Sequence, residues 1–256
     1  MKLKLPEASS RYITTPIHAY THPSSGSRVT VIGTIHAAQQ PNYYPTIQDV
    51  IDTREAEGAK VHYEKLKPST TDEVRAARPA SRYLRRLRRI HALAELPYTL
   101  FEDMSMVKQV EELTYRETWE NHDATRLEMA RHIDGPSLFL LSAASKGVLS
   151  VMKCLDAENR RALALTSLER MVANNDNSQV GRVAVNSLDL TILGYRNDIA
   201  LNAYDELQVA EPGREAVLLW GQGHLIGLDE GFSQRGFVKT DVQQLLAIDL
   251  DVLSER

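Results

Sequence analysis

Ala216-Val217-Leu218-Leu219-Trp220-Gly221-Gln222-Gly223-His224-Leu225-Ile226-Gly227 decides the fold. An unbroken apolar run without polar alternation is the pattern of a strand buried on both faces, as in a parallel sheet covered by helices. Gly221, Gly223 and Gly227 then call for close backbone approach or positive φ rather than for side-chain packing. Near the other end, Arg28 to Thr30 lead into Val31-Ile32-Gly33-Thr34-Ile35-His36, which has the same form: a strand, a glycine and a Gly-x-x-His ending. Parallel α/β sheets bind ligands at the carboxyl edge of their strands, so His36 and His224 are expected at one composite site.

Working outward, Thr46 to Glu57 has helical spacing, with Thr46 as N-cap and Ile47, Val50 and Ile51 on one face. Gly58 ends that helix and Ala59 to Leu66 reads as a second strand, which completes a β-α-β unit. Residues 70–175 read as a helical insert: Ala80 to Leu96, Asp103 to Ile133 (one helix or a broken pair, ended by Gly135-Pro136), Ser142 to Met152 and Ala157 to Ala173. Asn174 to Gln179 is the clearest loop. Ser187 to Leu207 is helical apart from Gly194, and Gly227 to Arg235 is a connecting segment. Gly236 to Thr240 is a last strand, and Asp241 to Leu253 a terminal helix or tail. The expectation is a single α/β domain over 1–256, with a central, mainly parallel sheet flanked by helices and the insert emerging from it.

Composition narrows the classes. At 256 residues with 43% hydrophobic and 25% charged residues, the chain can bury a core and is neither disordered nor fibrous. A net charge of -4 argues against nucleic acid as the partner. The single cysteine, Cys154, excludes an intrachain disulfide and a cysteine-rich zinc site, and is expected to be a small buried hydrophobe. No apolar run reaches the roughly 20 residues of a membrane span, and the N-terminus lacks the apolar stretch of a signal peptide. A soluble, cytoplasmic protein is expected.

Glu64 ends the second strand, where period-2 alternation puts it on the same face as His62. Arg196 lies in Gly194-Tyr195-Arg196-Asn197-Asp198, on the helix that feeds the last buried strand. Taken singly, Glu64 is a solvated strand-end charge and Arg196 a surface arginine. Taken together with His36 and His224, the series strand-Gly-x-x-His, strand-Glu, helix-Arg-Asn, strand-Gly-x-Gly-His resembles the TraB, PrgY and Tiki (GumN-like) family. That family is itself similar to the erythromycin-esterase and ChaN-like folds. The matching stretches are Val31 to His36, Val61 to Glu64, Tyr195 to Asn197 and Val217 to Gly227. The helical middle is not covered, and Ile226 stands where the family commonly has proline.

The resemblance implies a hydrolase of amide (peptide) or ester bonds with a site built from His36, Glu64, Arg196 and His224. His36, Glu64 and His224 would hold a divalent metal, Mn2+ or Co2+ by resemblance, with Zn2+ also fitting such ligands. Gly33, Arg196, Asn197 and Gly223 would contact a peptide or small-molecule substrate. The same residues also allow a metal-free mechanism, with His36 as general base and Arg196 and His224 stabilising the tetrahedral intermediate. A non-enzymatic binder that sequesters a peptide or pheromone-like signal would use the same cleft.

Arg75, Arg78, Arg82, Arg85, Arg86, Arg88 and Arg89 with His91 form the sharpest feature outside this site. The favoured reading is a solvated helix whose arginines pair with Glu111, Glu112, Glu117 and Glu120; binding to phosphate, an acidic peptide or nucleic acid is the competing one. The arginine helix and the insert would also suit a homodimer interface. No Gly-x-Ser-x-Gly elbow, P-loop or dinucleotide fingerprint is present.

Overall fold

The computed structural model describes residues 11–70, 72–73, 85, 88, 92, 104, 106–132, 135–176 and 187–254. Its centre is a six-stranded sheet in the order β6-β4-β7-β2-β1-β8. Four of these strands are parallel: β2 (Arg28–Thr34), β4 (Lys60–Tyr63), β6 (Glu120–Asn121) and β7 (Ala216–Gly221). At the far edge β1 (Tyr12–Thr21) and β8 (Val238–Asp249) run antiparallel to their neighbours. The α/β class with a mainly parallel sheet is therefore what the chain adopts.

Both faces of the parallel core are covered, which is why its strands carry apolar residues without alternation. On one face Ile32, Val61, Val217 and Leu219 pack with Tyr44, Ile47 and Ile51 of α1 (Tyr43–Ala56). On the other, Val29, Val31, Leu218 and Trp220 pack with Ala200, Leu201 and Tyr204, and with Leu228 and Phe232. Those partners belong to α6 (Ser187–Ala210) and α7 (Leu225–Gln234). β7 lies between β4 and β2, so the chain's last third supplies the strand that closes the sheet.

Several local expectations are corrected. α1 starts a turn earlier than Thr46, with Asn42 at the N-cap and Pro45 in the first turn, where a missing N–H costs nothing. Thr46 instead turns its hydroxyl back to Asn42 O at 2.6 Å. The helix expected over Asp103 to Ile133 is replaced by β5 (Val107–Lys108), α2 (Gln109–Glu112), β6 and α3 (Arg126–His132). β5 pairs with β3 (Ala37–Ala38) in a small second sheet. The insert is thus not purely helical, since it supplies an edge strand to the main sheet. Gly135-Pro136 is itself helical, within α4 (Gly135–Met152).

α5 (Ala157–Asp176) runs through Asn174 to Asp176, the start of the expected loop, and α6 continues through Gly194. Gly227 to Arg235 is mostly α7, and Asp241 to Asp249 continues β8 before α8 (Leu250–Ser254). Cys154 is exposed in the turn after α4, its thiol 3.4 Å from Ser150 O, and is not a core residue. The arginine-rich segment falls outside the described residues except for Arg85 and Arg88, both helical and exposed. No helix among the described residues is long and apolar enough to cross a membrane.

Candidate functional site

β4 and β7 end side by side. The Glu64 N–H bonds Leu219 O at 3.0 Å, extending their pairing one residue beyond β4. That places the Glu64 carboxylate over the last residue of β7, where its Oε2 accepts the Gly221 N–H at 2.6 Å. A Cβ at Gly221 would stand 3.2 Å from that same oxygen, so the glycine is what lets a carboxylate reach this backbone.

α6 delivers Arg196 and Asn197 to the same edge. Arg196 grips Asp123 with two parallel bonds, Nε to Oδ1 at 2.8 Å and Nη2 to Oδ2 at 2.7 Å, and its Nη2 also donates to Glu64 Oε1. The Asp123 side chain is 0% exposed and that of Glu64 11%. Burial alone would push Glu64 upward, but His224, Arg196 and the Gly221 N–H hold it well below the ordinary carboxylate range. Burial works against the Arg196 charge as well, yet Asp123 and Glu64 keep the guanidinium more firmly protonated than usual. Two carboxylates thus share one guanidinium.

Asn197 fixes His224. Its Nδ2 donates to His224 O at 3.3 Å, which turns its Oδ1 toward the ring, where it lies 2.6 Å from Nδ1. Nδ1 therefore carries the proton. Nε2 lies 3.6 Å from Glu64 Oε1, too far for a hydrogen bond but close enough to feel its charge, and it is buried without a hydrogen-bond partner. Gly227 makes this possible: a Cβ there would fall 2.1 Å from Asn197 Nδ2. The Gly-x-Gly-His-x-x-Gly spacing is thus explained by a strand end, a turn and an asparagine pressed against the first turn of α7.

His36 reaches the edge from β2, two residues beyond Thr34, which pairs with Gly221. Two tyrosines of α1 pin the loop before it: the Ile35 N–H donates to the Tyr43 hydroxyl at 3.3 Å, and the Tyr44 hydroxyl donates to Ile35 O at 2.8 Å. His36 is exposed, with Nδ1 3.3 Å from Gln109 Oε1, and Gln109 Nε2 donates to the Tyr115 hydroxyl at 3.1 Å. That amide orientation puts the His36 proton on Nδ1 and leaves Nε2 as the acceptor nitrogen. Tyr115 joins the two halves of the edge. Its ring lies 5.1 Å from that of Tyr63, the residue before Glu64, and burial, with a smaller push from the Tyr63 and Glu64 charges, raises its phenol.

Of the expected residues, Glu64, Arg196, Asn197 and His224 therefore meet directly, and His36 stands on the same edge with Gln109 rather than Glu64 as its partner. Gly33 lies inside β2, where a Cβ would strike Leu225 Cδ1 at 2.6 Å, so packing accounts for that glycine. The would-be Cβ of Gly223 meets Leu193 Cδ1 at an ordinary 3.9 Å. Asp123 and Gln109 are not among the residues to which the sequence points. Asp123 sits in a segment whose sequence reads as helix, and nothing in its neighbours marks it.

Of the residues expected to hold a metal, Glu64 and His224 lie side by side, and both Glu64 oxygens accept hydrogen bonds, from Arg196 and from Gly221. Among the described residues, the group whose donor atoms lie within 4.8 Å of one another is His62, Glu120 and His122. No protein-family model, no curated protein and no solved structure matches this chain.

Proposed function

We propose that this chain is a cytoplasmic hydrolase of the TraB, PrgY and Tiki type that cleaves an amide or ester bond of a peptide or small molecule at this sheet edge. The observation that carries the reading is the meeting of Glu64, Arg196, Asn197 and His224 from three separate parts of the chain, at the carboxyl edge of parallel strands. His36 Nε2 takes the proton of an attacking water, with Gln109 holding the ring in that tautomer. His224 Nε2, buried and without a hydrogen-bond partner among the described residues, is the second nitrogen assigned to the reaction, with the Glu64 carboxylate 3.6 Å away. Arg196 positions Glu64 through their ion pair.

Purified protein offered chromogenic esters and a peptide library should show turnover that His36→Ala and His224→Ala each reduce by about 10²–10⁴-fold, the usual worth of a general acid or base. Full turnover by His36→Ala would overturn the assignment. One observation favours a second reading, the non-enzymatic binder: the two carboxylates already on Arg196 leave less of its fork for a substrate oxyanion. That reading predicts ligand capture without turnover and only a modest affinity change in His36→Ala.

A further inference from the structure

We propose that His62, Glu120 and His122 form a site for a divalent transition cation of the Zn2+ class, at the β4–β6 edge of the sheet. Parallel pairing sets His62 opposite Glu120, and period-2 alternation brings His122 to the same side as Glu120. The His62 and His122 rings lie 4.5 Å apart, Glu120 Oε2 is 2.9 Å from His122 Nε2, and the same oxygen is 3.9 Å from His62 Nε2. A tetrahedral ion with bonds of about 2.0–2.1 Å needs donor separations of roughly 3.3 Å, and the two carboxylate–imidazole distances lie on either side of that value, with all three donor atoms within 4.8 Å of one another.

The independent sign of a ligand is His62 itself. It is 1% exposed, and neither ring nitrogen has a hydrogen-bond partner. Buried imidazoles ordinarily satisfy at least one nitrogen, and an ion on Nε2 would do so here. His122 and Glu120 are 27% and 46% exposed, so the site is closed by His62 and open to solvent at the edge. Lys60 Nζ holds the other Glu120 oxygen at 2.7 Å, so that Oε2 is the one turned to the two rings. Two imidazoles and one carboxylate favour a borderline transition ion over Ca2+ or Mg2+, and leave a coordination position for water. The site shares no residue with the Arg196–Glu64 network, and the inference does not depend on the hydrolase reading.

The test is Co2+ titration followed by visible d–d absorption, with Zn2+ competition by calorimetry, on full-length protein stripped with chelator and carrying no metal-affinity tag. The expected result is one equivalent bound with a tetrahedral Co2+ spectrum. His122→Ala and Glu120→Gln, at a half-buried and an exposed side chain, should each weaken Zn2+ by more than the roughly 10–100-fold that loss of an outer-shell partner costs. The His36→Ala/His224→Ala protein should bind as the wild type does. Absence of binding in the wild type, binding indifferent to both His122→Ala and Glu120→Gln, or binding lost only in the His36→Ala/His224→Ala protein would each overturn the assignment.

Discussion

Replacing Arg196 with methionine keeps most of the side chain's length and removes the charge that two buried carboxylates share. Asp123 would retain its own Ala124 N–H at 2.7 Å and Glu64 the Gly221 N–H at 2.6 Å, but neither would keep a cation. Removing one partner of a buried pair costs about 3–5 kcal/mol, because the other charge is left uncompensated. With two carboxylates orphaned, the upper part of that range applies, a third or more of the stability of an ordinary domain. At about 2–4 °C per kcal/mol for a chain of this size, the melting temperature should fall by about 8–20 °C.

The pH dependence separates this cause from simple loss of packing. In the wild type the folded pKa of Glu64 is depressed, so its contribution is present above the unfolded value of about 4.3 and is lost only as pH falls through the lower, folded value. In Arg196→Met the burial of Glu64 is less well opposed, its folded pKa rises, and the penalty is largest at neutral pH. The deficit should therefore shrink as pH falls from about 7.5 to 5 and Glu64 takes up a proton. Adding Glu64→Gln and Asp123→Asn to Arg196→Met should recover much of the loss at neutral pH. Urea unfolding followed by the fluorescence of Trp119 and Trp220 reads all of these. A loss below about 1 kcal/mol at neutral pH, or a deficit that does not change with pH, would refute the claim that Arg196 neutralises the site.

Three further outcomes are expected. Gly227→Ala should destabilise by about 1–3 kcal/mol by driving a methyl into Asn197, and Asn197→Ala in the same chain should relieve most of it; additive losses in the double-mutant cycle would show that the two do not touch. Tyr44→Phe should cost about 1 kcal/mol and reduce turnover more than substrate affinity, because the Ile35 carbonyl that sets the His36 loop loses its donor; unchanged kinetics would remove Tyr44 from the positioning of His36. Burial pushes the Tyr43 phenol up to about 12 from 10.0, so the stability it supports is present below about pH 10 and is lost as pH rises toward 12, by about 2–3 kcal/mol. Urea midpoints of Tyr43→Phe should accordingly lie below the wild type near pH 8 and converge with it in alkali, and parallel curves would contradict this.

The parallel core was legible because its physics is written locally. Arg28 to Thr34 and Ala216 to Gly221 are buried on both faces, and a strand that meets apolar surface on each side has no reason to alternate. β8 was legible only at its start, Val238 to Thr240, for the opposite reason. Val238 to Gln244 are all exposed, so no burial pattern imprints a period on the sequence, and what holds them extended is the backbone ladder to β1. β6 is only Glu120–Asn121, too short for any periodicity, yet its place against β4 brings Asp123 to the site. α7 escaped notice because its glycines read as loop, whereas Gly227 serves close packing with α6.

The site divides along the same line. His224, Gly221 and Gly227 announce themselves together because glycines clustered after a strand have few uses other than close approach. Glu64 and Arg196 have no such local signature, since each is a common residue at a common place, and their roles exist only as a pair. Their separation of 132 residues means that one half of the ion pair fixes nothing about the other until the sheet is assembled. Asp123 carries this furthest: it is fully buried, yet its sequence surroundings contain nothing apolar enough to predict burial, because the cover is supplied by elements distant in the chain. A buried charge is tolerated only where its partners are already in place. The network is therefore a test of correct assembly as well as a candidate site, and Arg196→Met should impair the fold before any effect on turnover can be read.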